Sequence, residues 1–385
     1  MSCGKPVVKT GTGGKGSTHA QTGTMWRKRL THAHDFAGLG TSGLALQKLV
    51  QKANIKTTLK HLFSSDKLRA SKKFIELTDP PEIFYPDVLK RHIPEKFYAP
   101  DLYTFTAPCQ GLSPAGIHLG IEDARTRLAL AGVIFIQDFH PKAIMSENTY
   151  TLATWEKHRE FLEFIVTTIK DAGPGYHVEW KLLNSNAYVP QHRLRWYLLG
   201  VRSDLKRANT CGVTLWPDPP RTCASFECFV KSRVGKQDWK PFPTDCSPDE
   251  QNNILTAYEN CGVNPFVVPV VVDFKASPKF SSWRPHESMT LTRTRCGQFG
   301  YWCSTKGAPL DVSDLCRLQG FHPDDLPYKE ADVTDTSMSQ VLGNGQTFSI
   351  CLAILPHLLY HASLITLHEF VAMKVASENC SPLQR

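Results

Sequence analysis

The sequence predicts an α/β protein, with a doubly wound, mostly parallel sheet and a smaller, loop-rich lobe. From about residue 33 onward, short strand-like runs alternate with helical ones, as in a parallel sheet covered by helices. Between about 204 and 290, prolines are frequent and the helical period disappears. The 385 residues also exceed the size of roughly 250 to 300 at which single cores stop growing.

Hydrophobic periodicity places the individual elements. Apolar residues at helical spacing predict helices from Thr41 to Val50, from Glu156 to Ala172 and from Thr347 to His361. Short apolar runs that end at turn residues predict strands from Asp101 to Ala107, Lys142 to Glu147, His177 to Leu183, Arg195 to Val201 and Phe266 to Phe274. The third and fourth of these strands are expected to form a hairpin.

Composition divides the chain into four segments. Residues 1–31 are expected to form a flexible basic tail, because they are rich in Gly, Thr, Ser and Lys and lack apolar periodicity. Residues 32–203 form the predicted large domain and residues 204–300 the smaller lobe. Residues 301–385 are expected to return to the large domain.

The bulk composition suits a packed protein and is compatible with a polyanionic partner. Hydrophobic residues make up 41% of the chain, charged residues 21%, and the net charge is +8. The twelve cysteines are scattered and follow no secretory signal, so a reducing compartment is expected. None of Cys211, Cys223, Cys228 and Cys246 forms a zinc knuckle, and no metal is expected. No apolar run reaches the roughly 18 to 20 residues that cross a bilayer, so no membrane partner is expected.

A glycine-containing turn precedes the first helix. Its residues are Phe36-Ala37-Gly38-Leu39-Gly40. Glycines let the backbone turn tightly and approach a ligand, as the nucleotide-type cofactor loops of doubly wound folds require. Asp66 and Asp87 lie at the ends of later strands and could accept hydrogen bonds from a ribose and from an exocyclic amine. Taken singly, each is more often an ordinary surface carboxylate.

A cysteine follows a buried strand in the segment Pro108-Cys109-Gln110-Gly111-Leu112-Ser113-Pro114. The carboxyl ends of strands in open α/β sheets carry active sites, so Cys109 is a candidate nucleophile. The alternative is an inert buried thiol. Glu147 ends another predicted strand, which would bring a carboxylate to the same rim. Arg193 and Arg195 open a later strand two residues apart and therefore point to one face, a costly arrangement unless they serve an anion or a carboxylate.

Taken together, these motifs resemble the cytosine-C5 DNA methyltransferase family. The match runs from about Asp35 to Leu355 and keeps the family's order, which in one-letter code is FAGLG, PCQGLSPAG, EN, QHRLR, RLQGF and GN. The resemblance implies the S-adenosylmethionine-dependent methyltransferase fold, with residues 32–203 as the catalytic and cofactor-binding domain. It also implies that the smaller lobe recognises the target.

The resemblance implies roles for four catalytic residues. The Cys109 thiolate adds to C6 of cytosine, which gives C5 the carbanion character it needs to take a methyl group. Glu147 is protonated and hydrogen-bonded to N3. Arg195 binds the base's O2 and helps to hold the Cys109 thiolate, while Arg193 orients Glu147 or neighbouring loop atoms.

The same resemblance implies a site for S-adenosyl-L-methionine. Phe36 lies against the adenine ring and the backbone of Ala37 to Gly40 surrounds the methionine end. Asp66 holds the ribose hydroxyls and Asp87 the adenine amine, and Asn344 closes the site. Val88 and Pro108 are the other residues of this implied cofactor site.

The implied substrate is double-stranded DNA with the target cytosine flipped out of the stack. The loop from Ser113 to Gly120, with Gln191 beneath it, fills the gap that the base leaves. A monomer is expected, in the nucleus of a eukaryote or in the nucleoid of a bacterial cytoplasm.

Three alternatives stay open. One branch of the family methylates tRNA, but its Cys-Phe-Thr signature is absent between Cys211 and Cys303. A non-catalytic DNA-binding relative would usually lose the cysteine or the glutamate, and both are present here. A generic methyltransferase of small molecules accounts for the first glycine turn but not for the later motifs.

Overall fold

The computed structural model describes residues 28–94, 97–108, 112, 127–205, 214–220, 223–380 and 382–383. These residues form a seven-stranded sheet with helices and a separate four-stranded sheet. The prediction of a doubly wound, mostly parallel sheet is confirmed.

The large sheet has the strand order β3-β2-β1-β4-β5-β7-β6. Its strands are β1 Lys28–Asp35, β2 Thr57–Ser65, β3 Ile83–Tyr85, β4 Leu102–Phe105, β5 Ala143–Thr149, β6 Tyr176–Asn184 and β7 Leu194–Arg202. The first five are parallel, whereas β7 runs antiparallel to both β5 and β6. The chain moves outward from β1 to β3 and then returns to β4, so the topological switch point lies between β1 and β4. Ligands of open α/β sheets bind at such a point, outside the carboxyl ends of the strands.

Twelve α-helices lie within the described residues. They are α1 Thr41–Lys52, α2 Arg69–Thr78, α3 Ala129–Phe139, α4 Thr151–Thr154, α5 Arg159–Lys170, α6 Phe226–Phe229, α7 Pro248–Asn260, α8 Arg293–Gly297, α9 Val312–Leu318, α10 Asp335–Asn344, α11 Phe348–His361 and α12 Leu367–Glu378. Helix α11 is buried along most of its length and packs against α1, which returns the C-terminal segment to the large domain. Among the described residues, no helix combines the length and apolar character needed to cross a bilayer.

The small sheet belongs to the second lobe. It consists of β8 Val270–Asp273, β9 Trp283–Pro285, β10 Tyr301–Cys303 and β11 Ala308–Pro309 in the order β11-β10-β8-β9, with every pairing antiparallel. Val270, Val272 and Trp302 pack with Ile254 of α7 into a separate core. The sheet therefore continues to residue 309, beyond the expected lobe boundary at 300, because β10 pairs directly with β8.

The expected tail over residues 1–31 ends earlier than the sequence analysis predicts. Lys28 already begins β1, Leu30 is buried, and the Thr31 backbone N–H donates to Asp101 Oδ2 at 2.9 Å. The basic residues at 28 and 29 make this strand start difficult to predict, because only one face of the strand is apolar there. Residues 1–27 lie outside the described part of the chain.

Helix α7 contradicts the expectation that the second lobe lacks helices. It was missed because its buried face is small: only Asn253, Ile254 and Ala257 are buried. A local signal was nevertheless present. Ser247 and Glu250 form a capping box, in which the Ser247 hydroxyl accepts from the Glu250 N–H at 3.3 Å and the Glu250 carboxylate accepts from the Ser247 N–H at 2.9 Å.

We expect Ser247→Ala to lower the free energy of unfolding by about 1 kcal/mol, because one N–H of the first turn of α7 loses its acceptor. Ser225→Ala is a matched control, since Ser225 precedes α6 without capping it through its side chain. Urea unfolding of the two variants measures the difference. Equal losses in both would contradict the capping role.

Candidate active site at the carboxyl edge of the large sheet

Most of the predicted site residues gather at one edge of the large sheet. The carboxyl ends of β1, β2, β4 and β5 meet there, and β7 begins there because it runs antiparallel to β5. This edge surrounds the switch point between β1 and β4.

The turn after β1 holds an unusual backbone conformation. Phe36, Gly38 and Gly40 have φ values of 58°, 56° and 67°, all in the left-handed region. A bulky residue such as phenylalanine rarely adopts this conformation, and such outliers concentrate at functional sites. A Cβ built on Gly38 would meet no atom within 4 Å, so open space adjoins this turn where α1 begins.

Asp66 connects this turn to the end of β2. Its Oδ2 accepts from the Gly38 N–H at 2.8 Å and its Oδ1 accepts from the Leu68 N–H at 2.7 Å. Burial raises the pKa of Asp66, although these two N–H groups act against that rise. A carboxylate has about four acceptor positions, more than these two N–H groups occupy, so Asp66 keeps acceptor capacity for a further donor.

Asp87 lies at the end of the neighbouring strand β3. Its Oδ1 accepts from the Leu89 N–H at 3.1 Å and so caps the short turn over Val88–Lys90, in which Val88 is buried. The Asp66 N–H donates to the Tyr85 carbonyl at 3.2 Å, which joins the ends of β2 and β3. Asp66 and Asp87 therefore stand at adjacent strand ends.

Asn344 comes to this edge from the C-terminal segment. It is the last residue of α10 and is exposed. The next residue, Gly345, lies beside the start of α1, where a Cβ built on it would be 3.8 Å from Thr41 Oγ1. The structure thus brings Asn344 near the first turn although more than 300 residues separate them in sequence.

Glu147 is a buried carboxylate on β5 that faces two arginines. Its Oε1 lies 3.1 Å from Arg195 Nε and 3.9 Å from an Arg193 terminal nitrogen. The first contact lacks the alignment of a hydrogen bond and the second is too long for one, so Oε1 has no hydrogen-bond partner within the described residues. A buried oxygen of this kind is costly unless a further donor or acceptor meets it.

Arg193 also connects three separate segments. Its guanidinium donates to the Leu291 carbonyl at 2.8 Å and to the Gly345 carbonyl at 2.9 Å. Leu291 belongs to the second lobe and Gly345 follows Asn344. One side chain therefore links the start of β7 to the second lobe and to the C-terminal segment, in addition to facing Glu147.

The strand that leads to Cys109 ends beside Glu147. The Asn148 side-chain amide donates to the Ala107 carbonyl at 3.3 Å, and Ser146 Oγ donates to the Phe105 carbonyl at 2.8 Å. Pro108, which is partly exposed, is the last described residue before the cysteine. Cys109 and Ser113 lie outside the described residues, so their roles stay predictions.

Gln191 lies in the interior of the protein. The side chain is fully buried, and its amide nitrogen donates to the Leu318 carbonyl at 2.7 Å. Its oxygen accepts from the Leu291 N–H at 3.2 Å. Both ends of the amide thus hold backbone groups of other segments, and the DNA-binding role of Gln191 stays a prediction.

Sequence reasoning missed a buried ion pair next to the first turn. The Asp35 carboxylate, at the end of β1, contacts the Arg91 guanidinium and accepts from Tyr103 at 2.5 Å and from Ser65 at 2.7 Å. Arg91 also lies 4.7 Å from the centre of the Phe135 ring. Burial, and then the charge of Asp35, raise the pKa of Tyr103 well above its ordinary value, which keeps its hydroxyl a donor. Asp35 adjoins a recognisable motif, whereas no pattern around Arg91 indicated a buried partner.

Comparisons with known proteins agree with this geometry. The C-5 cytosine-specific DNA methylase model matches residues 35–356. The type II methyltransferase M.BanI of Aneurinibacillus aneurinilyticus is 39% identical over 95 residues, which are 24% of this chain and 22% of M.BanI. M.HpaII of Haemophilus parainfluenzae is 32% identical over 180 residues, 45% of this chain and 46% of M.HpaII. The chain thus spans less than half the length of these curated relatives.

Solved structures share the fold. The Entamoeba histolytica methyltransferase EhMeth superimposes with a TM-score of 0.53 at 13% identity, over 86% of this chain and 98% of that one. The family model spans every motif from the first glycine turn to Asn344. The chain belongs to the C-5 cytosine-specific DNA methylase family.

Proposed function

We propose that this protein methylates C5 of cytosine in double-stranded DNA, with S-adenosyl-L-methionine as the methyl donor. The buried Glu147 carboxylate carries the proposal. It faces two arginines at the carboxyl edge of the sheet, beside the strand that leads to Cys109, and one of its oxygens has no hydrogen-bond partner among the described residues. Family membership supports this substrate class.

Glu147 and Arg195 suit the polar edge of a cytosine. When protonated, Glu147 Oε1 donates a hydrogen bond to N3 of the base, which satisfies the oxygen that otherwise lacks a partner. Arg195 can donate to O2, since its Nε lies only 3.1 Å from the same Glu147 oxygen. Withdrawal of electrons through N3 and O2 makes C6 more electrophilic.

Cys109 supplies the nucleophile in this proposal. Its thiolate forms a bond to C6, and the electron pair of the C5–C6 double bond moves to C5 while N3 takes up the proton of Glu147. C5 is then able to accept a methyl group. Loss of the C5 proton to a base expels the Cys109 thiolate from C6, and N3 returns its proton to Glu147, so the enzyme is regenerated.

The first turn and its neighbours fit the proposed cofactor. Bound S-adenosylmethionine supplies an electrophilic methyl group at this edge. The open space beside Gly38 admits a ligand against the backbone of Ala37 to Gly40, and Phe36 is available to pack against the adenine. Asp66 would accept from the ribose hydroxyls, Asp87 and Val88 would hold the adenine, and Pro108 and Asn344 would close the site.

Double-stranded DNA is favoured over tRNA, because the curated relatives are named as type II or orphan methyltransferases and the tRNA branch's signature is absent. The net charge of +8 suits either polyanion. We propose a monomer that acts wherever DNA is held, in the nucleus of a eukaryote or the nucleoid of a bacterium.

Covalent trapping tests the proposed chemistry. A duplex with 5-fluorocytosine at the target has no C5 proton to lose, so we expect a stable protein–DNA adduct that is absent in Cys109→Ala. Cys228→Ala is the matched control, because Cys228 is an exposed free thiol. Denaturing gel electrophoresis of the products, with S-adenosylmethionine present, detects the adduct.

An adduct that survives Cys109→Ala, or its absence with the wild-type protein on a library of duplex sequences, would contradict the proposed mechanism. Labelled methyl groups that enter total tRNA but not duplex DNA would instead contradict the proposed substrate.

We expect Glu147→Gln to reduce the rate of methyl transfer roughly 100-fold to 10,000-fold, because an amide cannot transfer a proton to N3. Glu163→Gln on the exposed side of α5 is the control and should leave the rate unchanged. Single-turnover transfer of labelled methyl groups measures both. A wild-type rate in Glu147→Gln would remove this residue from the mechanism.

Arg193→Lys should lower the stability of the folded protein as well as its activity. A lysine cannot reach the Leu291 and Gly345 carbonyls together, and each lost hydrogen bond to a charged group costs about 1.5 to 3 kcal/mol. Arg233→Lys, at an exposed ion pair with Asp238, is the control. Thermal unfolding should separate the two variants by several degrees, whereas equal melting temperatures would show that Arg193 does not hold the segments together.

A further inference from the structure

A second polar cluster lies beneath the first turn, away from Glu147. We name it the histidine cluster and define it as His32 and His34 on β1, His61 on β2 and Asp79 after α2. All four residues are buried, with 0%, 2%, 4% and 5% of their surface exposed. One ligand atom from each lies within 4.8 Å of those from the other three. The methyl transfer proposed above uses none of them.

The strand register brings the histidines to one face. His32 pairs with His61 across β1 and β2, and His34 follows two residues later on the same side of β1. The register shifts by one residue just after His32, so Leu62 is extra in β2. This irregularity keeps His61 beside His32 while the rest of β2 pairs normally.

The cluster contains a buried carboxylate that is only partly hydrogen-bonded. Gln47 donates to Asp79 Oδ1 at 2.6 Å, but Asp79 Oδ2 has no hydrogen-bond partner within the described chain. In the same part of the chain, its contacts within 4 Å to basic groups are His32 and His61. A buried polar atom without a hydrogen-bond partner is costly.

The unsatisfied atoms point at one another. His32 Nε2 also has no hydrogen-bond partner among the described residues and lies 3.7 Å from Asp79 Oδ2. His61 Nδ1 is 3.2 Å from the same oxygen. Zinc binds imidazole nitrogens at about 2.0 to 2.1 Å, which places neighbouring tetrahedral ligands roughly 3.3 to 3.5 Å apart. These two separations lie on either side of that value.

The missing side chain of Gly43 leaves space at the same point. A Cβ built on this α1 residue would lie 2.5 Å from Asp79 Oδ2 and 3.0 Å from His34 Nε2. The first contact is closer than real Cβ atoms come to other atoms, and the second is tighter than most such contacts. Glycine in mid-helix costs about 1 kcal/mol relative to alanine. The space that it provides adjoins two of the candidate ligand atoms.

We propose that the histidine cluster binds one divalent transition-metal ion of the zinc class through His32, His34, His61 and Asp79. Three imidazoles and one carboxylate are ligand types that zinc prefers. The ion offsets the Asp79 charge and gives both unsatisfied atoms a partner. This proposal goes beyond methyl transfer and does not depend on it, and it replaces the expectation of no metal, which considered only cysteine spacings.

Partners suited to an outer shell are already in place. His61 Nε2 lies 3.0 Å from the Phe63 carbonyl, and His34 Nδ1 lies 3.1 Å from Ser42 Oγ. Metal-bound histidines commonly donate their second nitrogen to such oxygens. Ligation replaces the present contacts of His32 Nδ1 with His34 and of His61 Nδ1 with the Asp79 carbonyl. A purely internal hydrogen-bond network keeps those contacts, but it leaves His32 Nε2 and Asp79 Oδ2 unsatisfied.

The experiment uses the full chain without a histidine tag, stripped with a chelator and then titrated with Zn²⁺ alone. We expect one zinc per chain by elemental analysis and a rise in the melting temperature that saturates at one equivalent. Co²⁺ in place of zinc should give ligand-field bands without a sulfur charge-transfer band, because the ligands are nitrogen and oxygen. This separates the histidine cluster from the free cysteines.

Asp79→Asn and Gly43→Ala should both abolish the stoichiometric binding, the first by removing the carboxylate and the second by filling the space. Gln47→Leu should weaken binding roughly 10-fold to 100-fold, as loss of an outer-shell partner does. His177→Asn, at an exposed histidine on β6, is the control and should bind like the wild type. Circular dichroism of each stripped variant confirms that it is folded.

Three outcomes would overturn the proposal. The first is no stabilisation of the stripped wild-type protein by equimolar zinc or cobalt. The second is a sulfur charge-transfer band with cobalt, and the third is unchanged binding in a folded Asp79→Asn protein. Methyl transfer activity, whether retained or lost, does not show which residues bind zinc or how many zinc ions bind. One proposal can therefore fail while the other stands.

Discussion

Removal of the Glu147 carboxylate from water costs several kcal/mol, and the guanidinium groups of Arg193 and Arg195 offset this cost at the sheet edge. The offset works only while β5 and β7 stay paired, because Glu147 lies on β5, Arg195 lies on β7 and Arg193 directly precedes β7. Arg193 extends the requirement further through its bonds to the Leu291 and Gly345 carbonyls. The Glu147 carboxylate therefore keeps its place only if the second lobe and the C-terminal segment are docked correctly.

The elements with strong periodicity were predictable, and so was their order. The helix predicted from Thr41 to Val50 occurs as Thr41–Lys52, and the strand predicted from Lys142 to Glu147 occurs as Ala143–Thr149. The strand predicted from Phe266 to Phe274 is shorter, since only Val270–Asp273 finds antiparallel partners. An apolar run can be recognised in the local sequence, but the strands with which it pairs cannot.

Some residues of the candidate site could likewise be predicted from the sequence, and others could not. Glu147, Arg193 and Arg195 could be found because each sits at the end or the start of a predicted strand, where function collects in this class of fold. Arg91 could not be found, since its contact with Asp35 joins a loop to a strand 56 residues earlier. The histidine cluster was not predicted for a related reason. His32 and His34 alternate as strand residues do, but His61 and Asp79 come close to them only through the register of β2 and the position of α2.

Both proposed sites depend on the rigidity of β1. The left-handed conformation of Phe36 costs on the order of 1 to 3 kcal/mol, which neighbouring contacts must offset. On one side, Thr106 Oγ1 donates to the Phe36 carbonyl at 2.8 Å, and Asp35 is held by Arg91 and Tyr103. On the other, His32 and His34 fix the same strand against β2 and α1. A strained turn can keep its shape for a ligand only if the strand before it cannot shift, and β1 is held from both faces.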